Sequence, residues 1–279
     1  MKKIAVTGAS GLVGTRIIEL LSEKFEFIPI SIKDMDITDK DSVQAHLKNL
    51  SYDLVLHLAA YTNVTGAESE KEKAYLINET GTQNLLEVAL SAKKEFVHIS
   101  TDFVFDGTNP PYTEKSVPNP LSVYGASKYA GEKVVGKNGM IVRFSYPYRS
   151  AFEPKKDIFR TVKSILETGK PVTMVNDSLM VPTFIDDIAG GLGYLMNNYS
   201  NEIFHLVGED AMSPFALAKT IAHVFHLNES LVERTTYEEY FANKAKGPRY
   251  CDIRSEKNTF YPMHTFEEGL RIIKEQLIV

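Results

Sequence analysis

A tyrosine and a lysine four residues apart on a helix can form a proton-transfer pair. A free phenol titrates near ~10, and a neighbouring ammonium stabilises its anion and lowers that value. Residues 124–133 read YGASKYAGEK and hold two overlapping pairs, Tyr124/Lys128 and Tyr129/Lys133; a third, Tyr240/Lys244, follows later. Chance supplies about one such pair in a chain of this composition, so position must separate them. Pro118 and Pro120 put the start of the first helix near Leu121. Tyr124 and Lys128 then occupy its first two turns. Tyr129 lies about 7.5 Å further along and about 140° around. Lys133 falls just before Gly136, where a lysine complements the helix dipole. Tyr124/Lys128 is therefore expected to be functional and Tyr129/Lys133 structural. The run 96–102, FVHISTD, ends a strand in two hydroxyls, Ser100 and Thr101. Tyr124 would give a proton to a carbonyl oxygen that Thr101 or Ser100 also hydrogen-bonds.

Such chemistry needs a hydride source, and the N-terminus supplies a place for one. Residues 7–14 read TGASGLVG, between a first strand and a first helix. Gly8, Gly11 and Gly14 allow a tight turn and the close approach of a phosphate to the helix N-terminus. Ser10, Leu12 and Val13 complete that loop. The spacing is G-x-x-G-x-x-G, read here as dinucleotide-binding. Lys128 would hold the nicotinamide ribose. The second strand ends Ile30-Ser31-Ile32-Lys33, with no acid until Asp34. A hydroxyl and a lysine suit a 2′-phosphate, so NADPH is favoured, with NADH as the alternative.

The elements that position these residues alternate along the chain. Short apolar runs at 3–7, 27–32, 53–58, 95–100 and 140–144 read as strands, and the segments between them carry helical periodicity. That pattern implies an α/β fold, a doubly wound parallel sheet with helices on both faces. After about residue 150 the rhythm changes. A helix is expected over 155–168, strands at 172–175 and 202–207, a helix from the Ser213 cap to about 227, and a last helix over 266–277. This describes a smaller C-terminal α/β lobe. The dinucleotide domain is assigned to 1–150 with about 176–198, and the substrate lobe to about 151–175 with 199–279.

Composition narrows the classes. Of 279 residues, 43% are hydrophobic and 24% charged, with a net charge of −5, which offers no basic footprint for nucleic acid or a membrane. Cys251 is the single cysteine, which excludes an internal disulfide and suits a reducing cytoplasm. No signal peptide, membrane span or metal site is expected. His57 and His98 fall inside strands and read as core histidines. His223 and His226 lack a third ligand nearby. Asp186 and Asp187 read as helix caps.

The loop TGASGLVG, the segments HLAAYTNVTGAE and INETGTQNL, the run STDFVFDGTNPPYTEKSVPNPLSVYGASKYAGE and the segment PTFIDDIA occur in order. Together they resemble the extended short-chain dehydrogenase/reductases and, within them, the dTDP-4-dehydrorhamnose reductases. The resemblance spans most of the chain. It implies a Rossmann-type domain, a nucleotide-sugar substrate and NAD(P)H-dependent reduction of the 4-keto group of dTDP-4-dehydro-L-rhamnose to dTDP-L-rhamnose. Thr101, Tyr124 and Lys128 would be catalytic. Gly8, Gly11 and Gly14 would line the pyrophosphate, with Asp36 and Ile37 near the adenine. Leu58, Ala59, Ala60 and Thr62 would follow the cofactor backbone. Lys33, Asn78, Ser100 and Tyr146 complete the cofactor set, and residues 143–147 would pass the nicotinamide. Thr101, Val104, Tyr124, Tyr146 and Arg249 would meet the substrate. The chain departs from the pattern at Thr65, where the family has Asp, at Tyr146, often Trp, and at Gly247, where an Arg precedes the proline. These departures leave open a different nucleotide sugar. A third reading is a non-catalytic regulatory protein, since the run FDGTNPPY also resembles the regulatory β subunit of methionine adenosyltransferase. Among self-assemblies a homodimer is entertained.

Overall fold

The computed structural model describes residues 1–277. Six parallel strands form the main sheet: β1 (Lys2–Thr7), β2 (Phe25–Ile30), β3 (Leu54–His57), β4 (Glu95–Thr101), β5 (Met140–Phe144) and, late in the chain, Ile203–His205. Their spatial order is β2, β1, β3, β4, β5, then Ile203–His205. The chain runs outward from β1 to β2, then returns to the other side of β1 with β3. That reversal is a topological switch point, where open α/β sheets hold ligands beyond the strand carboxyl ends.

Each central strand is buried on both faces, and alternate residues serve different cores. Ile4 and Val6 of β1, Leu54 and Leu56 of β3 and Val97 and Ile99 of β4 join helix α1 (Leu12–Leu21) and the later helix Ile185–Asn197. Ala5, Val55 and Phe96 point the other way, toward α2 (Lys40–Lys48) and the helix Gly81–Ser91. Each large side chain so enclosed contributes about 1.5–3 kcal/mol. The helix that carries the Tyr-x-x-x-Lys pairs is Val123–Val135. Ser122 caps it by accepting from the Gly125 amide at 3.2 Å, and Gly136 ends it with φ +52°.

A separate core gathers around Tyr148, Phe159, Leu166, Leu217, Phe266 and Leu270. It is built by helices Ile158–Glu167, Pro214–Val224 and Phe266–Gln276, beside the parallel pair Val172–Val175 and Val232–Thr235. The Ser213 cap and Pro214 at the first helical position are where the sequence puts them. One assignment is corrected. Residues 202–207 were given to the second lobe, yet Ile203–His205 pairs with β5 and completes the main sheet. A three-residue strand has too little length to display a period, so its partner was not readable. The second strand also ends earlier than expected, at Ile30, which leaves Ser31 and Lys33 in the following turn.

Candidate active site

The glycine loop joins β1 to α1 at the switch point. Gly8 has φ +72°, and a Cβ there would stand 2.6 Å from the Ala59 amide nitrogen. A Cβ on Gly14 would stand 2.5 Å from the Gly8 carbonyl oxygen. The loop after β1 and the loop after β3 thus touch through backbone alone. Gly11 is the N-cap of α1 and has no side chain to satisfy the first-turn amides. Those amides are left to a ligand, which fits a pyrophosphate. Leu12 and Val13 pack their side chains toward the core, and Ser10 is exposed on the loop surface. A Gly8→Ala substitution would force a Cβ both into positive φ and into the Ala59 backbone. We expect at least a tenfold loss of dinucleotide affinity and a lower melting temperature, about 1 kcal/mol or more of stability. Cofactor titration and thermal unfolding check this; unchanged values in both would refute the reading of the loop.

The loop after β3 is braced from behind. The Asn78 side chain accepts from the Tyr61 amide at 2.8 Å and donates to the Tyr61 carbonyl at 3.2 Å and to Ser127 Oγ at 2.9 Å. Asn78 is buried at 1% exposure and all its polar atoms have partners. It sits behind this loop as a strut, with no polar atom left over for a cofactor. It stands in a π-helical turn, Leu76–Thr80, between helices Lys71–Tyr75 and Gly81–Ser91. Leu58, Ala59 and Ala60 remain partly accessible on the cleft side, and Thr62 is exposed. Asp36 accepts from the Thr38 amide and hydroxyl, which holds its carboxyl below the usual range. The Ile37 carbonyl is fixed by Asn84 at 2.9 Å. Lys33 is exposed beyond β2, and Asp34 accepts from the Ser31 hydroxyl at 2.6 Å.

Beyond β4 the Thr101 hydroxyl reaches the Tyr124 phenol, and Lys128 follows one turn along the same helix. Tyr124 stands in the first turn of its helix, with the Phe103 ring edge-on at 5.5 Å between centroids. Burial pushes its phenol up to about 12, with the Asp102 carboxylate adding to that and the Thr101 hydroxyl opposing it. The depression expected from Lys128 does not prevail. Lys128 Nζ instead donates to the Ile99 carbonyl at 2.7 Å, and burial lowers its ammonium to about 8. Tyr124 is therefore held as a neutral phenol at neutral pH, the proton-donor form. Tyr129 and Lys133 pair with one another, Nζ lying 5.2 Å from the ring centroid. Lys244 does the same over Tyr240, at 3.5 Å. Of the three lysines, Lys128 alone is buried.

Three groups escaped the sequence reading. Asp102 is 1% exposed and accepts from Thr101 Oγ1 at 2.9 Å and Ser145 Oγ at 2.7 Å. Burial raises its carboxyl despite those bonds. Glu68 accepts from the Val123 amide at 2.9 Å and so anchors the first turn that carries Tyr124. Phe103 reaches both Tyr124 and Tyr146, the latter at 6.2 Å. Val104, given above as a substrate residue, is a correction: it is fully buried against Phe105, Tyr112 and Val181. The chain enters a 3-10 turn at Asp102, so the side chain facing the cleft is one residue earlier. Ser100 is also buried, and its Oγ has no partner. Tyr146 takes φ +40°, a rare conformation for a bulky residue, just after β5. Arg249 is paired with Asp177 and lies over the Tyr237 ring at 5.5 Å. Among the described residues no three His, Cys, Asp or Glu side chains gather as a metal site.

This arrangement has relatives. The family described as RmlD substrate binding domain matches residues 1–277. The spore coat polysaccharide biosynthesis protein SpsK of Bacillus subtilis is 32% identical, over 97% of this chain and 96% of its own. A dTDP-4-dehydrorhamnose reductase of Aggregatibacter actinomycetemcomitans is 30% identical, over 86% of each chain. A dTDP-4-dehydrorhamnose reductase of Bacillus anthracis, solved in complex with NADP, superposes with a TM-score of 0.91 at 30% identity, over 99% of this chain and 100% of that one. The match runs through both the glycine loop and the Tyr124 helix and on through the second core, so the chain belongs to the RmlD substrate binding domain family of the extended short-chain dehydrogenase/reductases.

Proposed function

We propose that the protein reduces the 4-keto group of dTDP-4-dehydro-L-rhamnose to give dTDP-L-rhamnose, with NADPH as the reductant. What supports this reading is the Thr101 hydroxyl within hydrogen-bonding reach of the Tyr124 phenol, with Lys128 one turn further along the same helix, beyond a sheet whose switch point holds a glycine loop. When bound, the dinucleotide supplies two electrons and a hydrogen to the sugar carbon. The chain does the rest. Gly8, Gly11 and the open first turn of α1 take the pyrophosphate. Lys33 and Ser31, beyond β2, suit the 2′-phosphate. Lys128 has donors left to reach the ribose. The Tyr124 phenol passes its proton to the ketone oxygen as that oxygen gains charge. The Thr101 proton is directed at Asp102 and the Phe103 amide donates to its oxygen at 3.3 Å, so Thr101 has one lone pair left for the cleft while that carboxylate is ionised. It then orients the phenol more readily than the ketone. Phe103 and Tyr146 supply aromatic faces for the nucleotide sugar, with Arg249, backed by the buried Tyr237 ring, beside them. No described helix is long and apolar enough to cross a membrane, and a cytoplasmic site of action suits the single buried thiol.

The direct test follows loss of NADPH absorbance on adding dTDP-4-dehydro-L-rhamnose. Turnover is expected, with NADH a poorer donor. Turnover only with another keto-sugar nucleotide would move the assignment to that sugar. Cofactor binding without turnover on any of them would sink the reductase reading.

A further inference from the structure

Parallel register places Thr7 of β1 beside His57 of β3, and His57 beside His98 of β4. All three face the helices Gly81–Ser91 and Val123–Val135, and all are buried. They form one polar row across the sheet, directly under the two loops of the cleft. Thr7 Oγ1 and His57 Nδ1 are 2.8 Å apart, and His57 Nε2 is 3.1 Å from Thr82 Oγ1. The two imidazoles lie 5.4 Å apart between centroids. The row ends where His98 Nε2 meets Lys128 Nζ at 3.5 Å. A hydrophobic strand face would be the cheaper choice here, since each buried polar group must find a partner. His98 Nδ1 finds none. Gly131 lies against the ring: a Cβ there would stand 2.5 Å from the Asn78 carbonyl oxygen and 3.3 Å from His98 Nε2.

We propose that His98 is a positioning residue for Lys128: its Nε2 accepts from the ammonium and, with the Ile99 carbonyl, sets Nζ so that the third N–H points into the cleft beside Tyr124. This rests on the reading of Tyr124 and Lys128 as the working pair. It also accounts for the orphan nitrogen. A neutral imidazole that accepts at Nε2 must carry its proton on Nδ1, whether or not a partner exists. Burial and the Lys128 charge keep both His98 and His57 neutral, His57 being lowered to about 3. The groups facing Lys128 are then His98 and the Ile99 carbonyl from β4, His57 behind them on β3, and Tyr124 and Glu132 from its own helix, with Arg143 of β5 on the far side of Glu132. Of these, Glu132 favours the ammonium and His57 and His98 carry no charge to oppose it.

The sign of the pH effect follows. Lys128 is lowered by burial, so its ammonium is present below about 8 and lost as pH rises through that value. Removing an acceptor lowers it further. His98→Leu should move the alkaline limb of the kcat/KM profile to lower pH by about one unit, the worth of a hydrogen bond to a charged group. His98→Gln, whose side-chain oxygen can reach the Nε2 position, should keep the limb near its native place. A limb that stays put in a folded His98→Leu protein would overturn the proposal. The native protein gives a second reading, independent of any substrate and of whether the variants fold. Histidine ¹⁵N spectra at neutral pH should show the His98 proton on Nδ1, and a proton on Nε2 would overturn the proposal equally. If no sugar is turned over, the reductase reading fails, while these spectra still decide the role of His98.

Discussion

Tyr124→Phe is expected to lower kcat about 10³-fold while leaving NADPH affinity within about threefold of native. The substitution removes one oxygen and keeps the ring, so the edge-on packing with Phe103 survives. What it removes is the proton donor at the cleft. Lys128 does not take over, because the Ile99 carbonyl and His98 hold two of its N–H groups and the one left over is assigned to the ribose, not the ketone. Thr101 cannot either, because its proton is directed at Asp102. Tyr129→Phe is the matching control and should leave kcat within about twofold, since that ring pairs with Lys133 away from the cleft. The comparison is made by cofactor titration followed by steady-state assay of the three proteins. A Tyr124→Phe enzyme that keeps more than about a tenth of native kcat would remove Tyr124 from the mechanism.

The largest loss of stability is expected from Glu132→Gln. Glu132 and Arg143 form a bidentate pair at 2.8 and 2.5 Å, with side chains only 3% and 1% exposed. The guanidinium also lies over the Phe105 ring at 5.1 Å and touches His205 at 3.3 Å, and among the described residues Glu132 is the one carboxylate paired with it. Taking the counter-charge away strands a cation in the interior, at a cost of about 3 kcal/mol or more. That is a large share of a stability of about 5–15 kcal/mol. Urea unfolding should show a lower midpoint with an unchanged slope. Replacing both partners at once, Glu132→Leu with Arg143→Met, should recover much of the loss, because paired desolvation is then avoided. A single variant less than about 1 kcal/mol below native would show that the pair is not energetically coupled.

The elements that carry the candidate site were legible in the sequence where punctuating residues mark their ends. The glycine loop could be placed because a short apolar run ends at Thr7 and a helical period begins after Gly11, with the glycines between them. Tyr124 could be separated from Tyr129 because prolines bound the helix start, and the two residues then differ in depth and azimuth. The failures have a common physical origin. Val104 was placed at the cleft although it is core, because a 3-10 turn has neither the strand nor the α period. Asp102, Glu68 and the Glu132–Arg143 pair depend on partners far along the chain, and no local period announces them. The expected lowering of the Tyr124 phenol failed for a different reason. Proximity was judged from the helix alone, whereas the direction of Nζ is decided by a carbonyl on the neighbouring strand.

The π-helical turn at Leu76–Thr80 carries a consequence for how this chain can vary in length. An α-helix turns about 100° per residue, and a π turn absorbs one extra residue within a continuous helix. Taking out one residue there would let the segment relax to a regular α-helix. The flanking helices would stay in phase, because the π turn already absorbs the extra residue, and only the side chains of the turn itself would be re-aimed. Asn78 would swing off Tyr61 and Ser127 together, and the loop after β3 would lose its brace at the same moment as the helix of Tyr124. Substitutions can accumulate through this stretch one at a time, whereas a change of length is felt at once on both walls of the cleft. The turn therefore fixes the spacing of the chain here more strictly than its composition.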